Sequence, residues 1–316
     1  MIKHDRLFKE LIETFFMEFL ELFFPEVAAY VDPSSIQFLR DEVFTDVTRG
    51  ECHRADLVAK VRFRGNDTYF LIHIEAQGQQ QDYFPSRMFT YFARFLERHQ
   101  LPVYPVAIFS YKWPLETEPK EYTVDFPDVQ VLRFQYRTVQ LNKLNWRDFL
   151  RSSNPIASAL MARMRIKKKD RPRVKTECLR LMATFNLNPA KMKLISGFVD
   201  TYLRLNAKEL LEFNRGVAKL NLEEKEAVLK ITTSWKEEGI LEGKAEGKTE
   251  GLLTGLRALL RMRFGEEGLA FLATLSDGVG VEVLERITDL VDSAADLATL
   301  RRIASENPGS ARAGNA

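Results

Sequence analysis

Residues 54–77 constrain the fold more than any other stretch, because two runs of alternating apolar and polar side chains are separated by only Gly65 and Asn66. Alternation at period two marks a strand, and a two-residue loop opening on glycine suits a type II′ hairpin turn. Such a hairpin sets its own register. Arg64 faces Asp67, Val58 faces His73, Asp56 faces Glu75 and Arg54 faces Gln77. Asp56, Val58, Lys60, Leu71, His73, Glu75 and Gln77 then share one face of the sheet. Leu57, Ala59, Val61, Phe63, Phe70, Ile72 and Ile74 share the other, which is the expected core face.

This register puts two acids, Asp56 and Glu75, directly opposite each other. Like charges facing across a ladder are destabilising, so something must offset them. A divalent cation does so, since Mg²⁺ takes one or two carboxylates together with water and phosphate oxygens. A solvated acid pair neutralised by Arg54 or Lys60 does so as well. In either case, removing one acid relieves repulsion, and its truncation is expected to leave folding largely intact.

The flanking sequence supplies the rest of an α/β domain. Apolar residues recur at helical spacing over residues 5–24, ending at Pro25, and a strand follows within residues 36–47. Beyond the hairpin, a helix is expected from Pro85 to Gln100, with an apolar stripe of Met88, Phe92, Phe95 and Leu96. Strands are expected at Val103–Tyr111 and Val129–Leu141. The order is α-β-β-β-α-β-β. After residue 150 the strand patterns vanish, and short helices are expected at 155–166, 174–187, 190–204 and 207–218. Glu-Gly then recurs every four residues across 238–255, which reads either as a stripe for close helix contact or as a semi-flexible helical spacer. The expected parts are a 1–150 α/β domain, a basic helical segment at 151–235, the Glu-Gly helix at 236–255 and a small helical domain at 256–305. Residues 306–316 are expected to be disordered.

Charge separates these parts. Residues 1–150 carry 18 Lys and Arg against 22 Asp and Glu, residues 151–235 carry 18 against 8, and residues 236–316 carry 10 against 14. The basic middle fits either a polyanionic partner or a lysine-rich solvated surface. Eight of its cations fall between Arg163 and Lys175, against one acid, Asp170. No apolar run is long enough to span a membrane, and no secretory leader is recognisable. Cys52 and Cys178 make neither a disulfide framework nor a zinc site. A phosphate-binding glycine loop, a dinucleotide fingerprint and a serine nucleophile elbow are all missing from the sequence. The expected setting is the cytoplasm.

The motifs that carry chemistry resemble one family. His4 to Lys9, Arg54 to Leu57, Leu71 to Gln77 and Arg87 to Tyr91 are together similar to the recombination-promoting nuclease (Rpn) family, also labelled transposases, within the PD-(D/E)XK nuclease superfamily. The resemblance extends to the Glu-Gly repeats and the helical extension found in related bacterial chains. It implies a restriction-endonuclease-like α-β-β-β-α-β core followed by all-α segments. It also implies hydrolysis of DNA phosphodiesters and a role in recombination or mobile elements. Asp56 and Glu75 would hold Mg²⁺, or another divalent ion such as Mn²⁺ or Ca²⁺. Gln77 stands where the superfamily more often has lysine, and Asp5 either assists the site or caps its helix. The nucleic-acid contacts expected are Arg54, the helix stripe of Arg87, Tyr91 and Arg94, which Arg98 extends, and Lys167, Lys168, Lys169, Arg171 and Arg173 of the basic run. The competing readings are a DNA-binding protein without cleavage, and a homo-oligomer assembled through the Glu-Gly helix or the C-terminal helices.

Overall fold

The computed structural model describes residues 4–39, 43–46, 51–54, 57–275, 281–291 and 296–305, with the side chains of residues 4–5, 43–46, 51–54, 233–246, 303 and 305 excepted. The first apolar stretch makes three helices where one was expected, α1 (His4–Thr14), α2 (Phe16–Phe23) and α3 (Pro25–Tyr30). Phe15, at φ −119° and ψ 40°, leaves helical geometry between the first two, and its ring is fully buried. Pro25 starts α3 as well as ending α2, because its fixed φ and missing N–H suit a first helical turn.

Strands β1 (Gln37–Phe38), β2 (Val43–Asp46), β3 (Glu51–Arg54), β4 (Leu57–Arg62) and β5 (Tyr69–Gln77) follow. Helix α4 (Phe84–His99) then crosses over to β6 (Val103–Phe109), and β7 (Glu121–Asp125), β8 (Gln130–Gln135) and β9 (Arg137–Gln140) complete the strands. The main sheet has the order β1-β4-β5-β6-β9. Its first three strands are antiparallel, and β5, β6 and β9 are parallel. Two ladders stand apart from it, β2 with β3 and β7 with β8. Three expected strands are therefore divided. Residues 36–47 contribute to two sheets, residues 54–64 are split between β3 and β4, and residues 129–141 bend at Tyr136 so that β8 and β9 join different sheets. The β7 strand was not expected, although Tyr122 and Val124 alternate with polar residues along it.

The hairpin register is the expected one: Val58 pairs with His73, and the ladder runs from Leu57 opposite Ile74 to Arg62 opposite Tyr69. Its loop is longer than two residues. Phe63 N–H donates to Thr68 O at 3.0 Å, and Asn66 N–H donates to Phe63 O at 3.1 Å. The tight turn is thus centred on Arg64 and Gly65, and Gly65 supplies the left-handed φ of +79° at its third position.

The expectation of one core face fails. Leu57, Ala59, Val61, Phe70, Ile72 and Ile74 are buried, but so are Val58, Leu71, His73, Glu75 and Gln77 on the opposite face. Helix α4 covers that second face, where Tyr91 and Phe95 pack with Val58 and Leu71, while α1 lies against β5 from the other side. A strand flanked by a parallel crossover is covered on both faces, which is why β5 reads as a nearly continuous apolar run. The buried stripe of α4 is Phe84, Met88, Tyr91 and Phe95, so Phe92 and Leu96 lie off it and Leu96 is exposed.

Helices α5 (Pro155–Leu160), α6 (Arg171–Thr184), α7 (Pro189–Tyr202) and α8 (Ala207–Ala218) pack onto the same body. Phe8 of α1 meets Phe198 of α7 edge-on at 4.9 Å, and Asn154 Nδ2 donates to Glu18 O at 2.6 Å. The chain divides after Ile231 into two compact units, so the boundary expected at residue 150 falls inside the first. The division lies within α9 (Leu222–Leu275), which breaks at Gly265. The Glu-Gly repeat is helical, and Cβ atoms placed on Gly247, Gly251 and Gly255 would meet nothing within 4 Å. Beyond it, α10 (Val281–Leu290) and α11 (Leu297–Ser305) enclose a small core of Leu256, Leu260, Phe271, Leu284, Ile287 and Leu300. Among the described residues, no helix is long and apolar enough to cross a membrane.

Two measurements test this packing. A Cβ on Gly268 would lie 2.4 Å from the backbone oxygen of Leu260, so Gly268→Ala must push two helical segments apart. A loss of about 1–3 kcal/mol in denaturant unfolding is expected, and unchanged unfolding would contradict the close approach. Asp32 accepts from Arg62 at 2.5 Å and from the Ser34 hydroxyl at 2.7 Å and N–H at 3.0 Å. The bond from Arg62, followed by those from Ser34, lowers its pKa to about 2. Its stabilising effect is complete above the ordinary aspartate range and is lost as pH falls towards 2. The Asp32 carboxyl resonance should titrate near that value, and should move up towards the ordinary range in Arg62→Ala.

Candidate functional site

The most chemically distinctive group in the first unit is a carboxylate inside the sheet. Glu75 is 3% exposed and sits near the carboxyl end of β5, opposite Ala107 of β6. Its Oε1 lies 2.9 Å from Nε2 of His73, two residues earlier on the same face of the strand. Its Oε2 lies 3.9 Å from the guanidinium of Arg87, in the first turn of α4. Arg87 is itself held by the Gln81 side-chain oxygen at 2.8 Å and lies over the ring of Phe84 at 5.2 Å. His73 has no exposed surface, and Tyr91 and Phe95 of α4 meet its ring edge-on at 5.4 and 4.9 Å. With Nε2 directed at the carboxylate, the imidazole donates there, and Nδ1 is left buried without a hydrogen-bond partner among the described residues.

Glu75 thus has a donor on one oxygen and a cation near the other. The cation comes from Arg87; Lys60 instead lies over the ring of Tyr69 at 4.7 Å. Truncating Glu75 would leave a buried imidazole and a half-buried guanidinium facing a gap. The expectation that removing this acid merely relieves repulsion is therefore overturned.

The remaining site candidates are distributed unevenly. Asp56 lies outside the described residues. Asp5 falls within α1, but its side chain lies outside them as well. Arg54 ends β3 opposite Val43, in the separate two-stranded ladder, so it is not Gln77's partner as expected. Gln77 is 8% exposed and pairs with Phe109 of β6, and its backbone oxygen accepts from Ser110 N–H at 2.9 Å and Oγ at 3.1 Å. The stripe on α4 is not a solvent-facing one: Tyr91 is buried, Arg87 and Arg94 are partly buried, and Arg98 is exposed. Tyr91 faces His73 because the apolar face of α4 is rotated relative to the sequence expectation.

The basic run divides between inside and outside. Arg163 is 9% exposed, donates to Ser110 O and stacks on Tyr202 at 4.6 Å. Lys175 bonds Asp200 at 2.6 Å, and Arg171 bonds Glu209 at 2.9 Å. Arg165, Lys167, Lys168, Lys169 and Arg173 remain exposed. Arg173 also lies over Trp146 at 5.5 Å.

Among the described residues no group of three His, Cys, Asp or Glu could hold a metal ion. Glu75 and the amide of Gln77 offer hard oxygen donors, which suit an ion such as Mg²⁺ that keeps most of its water and takes few protein ligands. Comparisons with models of protein families, with curated proteins and with solved structures found no match.

Sequence reading missed Arg87 as the cation beside Glu75, although its place in the first turn of the crossover helix was a usable signal. The buried pair predicts a measurable coupling. In a cycle of His73→Phe, Glu75→Met and the double variant, urea unfolding should give a coupling energy of about 1–2 kcal/mol. Additive losses would mean that the two side chains do not support each other.

Proposed function

We propose that the chain is a Mg²⁺-dependent endonuclease that hydrolyses DNA phosphodiester bonds, a member of the recombination-promoting nuclease family with a restriction-endonuclease-like core. The single observation that carries the reading is Glu75, a carboxylate kept inside the sheet beside the parallel crossover and held in place by its own neighbours. The β4–β5 pairing and the crossover through α4 to β6 support the expected core order.

Asp56 and Glu75 would hold the ion, and when bound it supplies charge stabilisation for the phosphate and a lower pKa for the attacking water. The chain's own residues do the positioning. His73 fixes one oxygen of Glu75 by donating to it. Arg87, anchored by Gln81, brings a positive charge to the same end of β5. Gln77 offers an amide that orients water but contributes no charge, so any cationic help comes from α4. The exposed cations of residues 165–173 give the phosphate backbone a sequence-independent foothold.

A second reading is favoured by the same pair of contacts. Glu75 already has His73 and Arg87 as partners, so its charge is offset without an ion, and a DNA-binding protein without cleavage also accounts for it. Plasmid nicking separates the two. The wild-type chain should nick supercoiled DNA with Mg²⁺ and not in chelator. Asp56→Asn and Glu75→Gln should each lower the rate about a hundredfold or more, and Gln77→Ala should lower it less. Melting curves for each variant would show that the fold is retained. Salt-dependent DNA binding with no Mg²⁺-dependent nicking by the wild type would establish the second reading.

A further inference from the structure

On the first unit, the loop after β6 meets the segment between α5 and α6 around a cleft of about 510 Å³. Its lining includes six cations, Lys112, Arg163, Arg165, Lys167, Lys168 and Arg171, and among these described lining residues there is no carboxylate. Two of the six are committed within the fold, Arg163 to Ser110 and Arg171 to Glu209. The other four are exposed. Gathering so many like charges is costly, and here the cost registers on one of them: partial burial, and then the charges of Arg171 and Arg163, hold the Lys112 ammonium below its usual pKa. An anion in the cleft would relieve that repulsion.

The cleft is not only an anion trap. Trp113 lies on its lining with 73% of its surface exposed, a large aromatic plane offered to solvent beside the cations. Opposite in character is Asn142, which is 3% exposed. Its Nδ2 donates to Pro114 O at 2.8 Å and Lys112 O at 3.4 Å, which anchors the loop carrying Trp113 and sets the orientation of the amide. Its Oδ1 is then left buried with no hydrogen-bond partner among the described residues, and so is Nε of the nine-tenths-buried Arg163. Buried polar atoms are rarely left this way, and both belong to residues that line the cleft, although neither atom is itself open to solvent. Exposed aromatic surface and concentrated positive charge match the base and the phosphates of one kind of ligand.

We propose that this cleft binds a nucleoside phosphate, with the base against Trp113 and the phosphates among Lys112, Arg165, Lys167 and Lys168. The same chemistry is presented by a free nucleotide and by the phosphorylated end of a single strand. Base stacking on an aromatic side chain tolerates any base, while the cations bind phosphate irrespective of sequence. The site uses neither Glu75 nor a metal ion, so it does not require phosphodiester hydrolysis, although Arg165, Lys167 and Lys168 are among the cations proposed above to meet a DNA backbone.

Calorimetric titration of the full chain in chelating buffer tests the assignment with three probes: ADP, pyrophosphate and a 5′-phosphorylated oligothymidylate. ADP should bind more tightly than pyrophosphate and quench tryptophan emission. Trp113→Ala should weaken ADP about tenfold while sparing pyrophosphate. Lys112→Glu combined with Lys168→Glu should weaken both about tenfold or more. All three side chains are exposed, so the variants should melt as the wild type does. Oligothymidylate binding that falls in Trp113→Ala would identify a strand end as the source, and ADP binding without it would identify a free nucleotide. The proposal is overturned if ADP fails to bind, if it binds no better than pyrophosphate, if Trp113→Ala leaves it unchanged, or if the double charge reversal has no effect.

Discussion

A carboxyl group in the middle of a sheet covered on both faces has lost the water that would otherwise solvate it, and the surrounding structure has to supply its polar partners. Around Glu75 these come from two directions. His73 reaches one oxygen along the strand itself, and Arg87 approaches the other from the first turn of the crossover helix. This requirement ties together features that would otherwise look separate: the burial of His73, the rotation of α4 that sets Tyr91 and Phe95 against the imidazole, and the bond from Gln81 that steadies Arg87. The parallel crossover makes it possible, since it places a helix over the polar side of β5 and buries it from Leu71 to Gln77.

The sequence was most legible where local pattern and long-range pairing carry the same information. The position of the loop was enough to place Val58 opposite His73, because the longer loop that forms is centred on the same point, between Gly65 and Asn66. The turn itself was less legible. Gly65 does take the left-handed conformation, but as the third residue of a turn starting at Phe63 rather than as the first of a two-residue loop. Alternation also misled: it pointed to a single core face, whereas His73, Glu75 and Gln77 on the opposite face are buried as well. Only a view of what α4 covers could have shown this, and the helix's own apolar spacing favoured Phe92 and Leu96 over Tyr91. The divided strands share a similar cause. A bend such as that at Tyr136 depends on where neighbouring strands lie, which a linear pattern does not encode.

The basic segment shows the same division between composition and placement. A run of eight cations reads as one electrostatic feature, yet its members do different work. Arg163 and Lys175 are drawn into the body of the first unit to bond Ser110 and Asp200, Arg171 bonds Glu209 at the start of α6, and their neighbours face outwards. Charge counting located the segment but could not separate cations that stabilise helices from cations available to a ligand. It also gave no hint of Lys112, Trp113 and Asn142, which are distant in sequence and join the same cleft only through folding.

The trio of His73, Glu75 and Arg87 also limits how such a chain can change over generations. Replacing any one member strands the others: an imidazole without an acceptor, a carboxylate without its donor, or a guanidinium facing an apolar wall. Each intermediate carries the penalty of a buried group left without its partner, so the route to a different arrangement passes through sequences that fold less well. Substitutions here are therefore expected to be tolerated in concert and selected against singly. Even if the carboxylate had no chemical task, its neighbours alone would hold it in place.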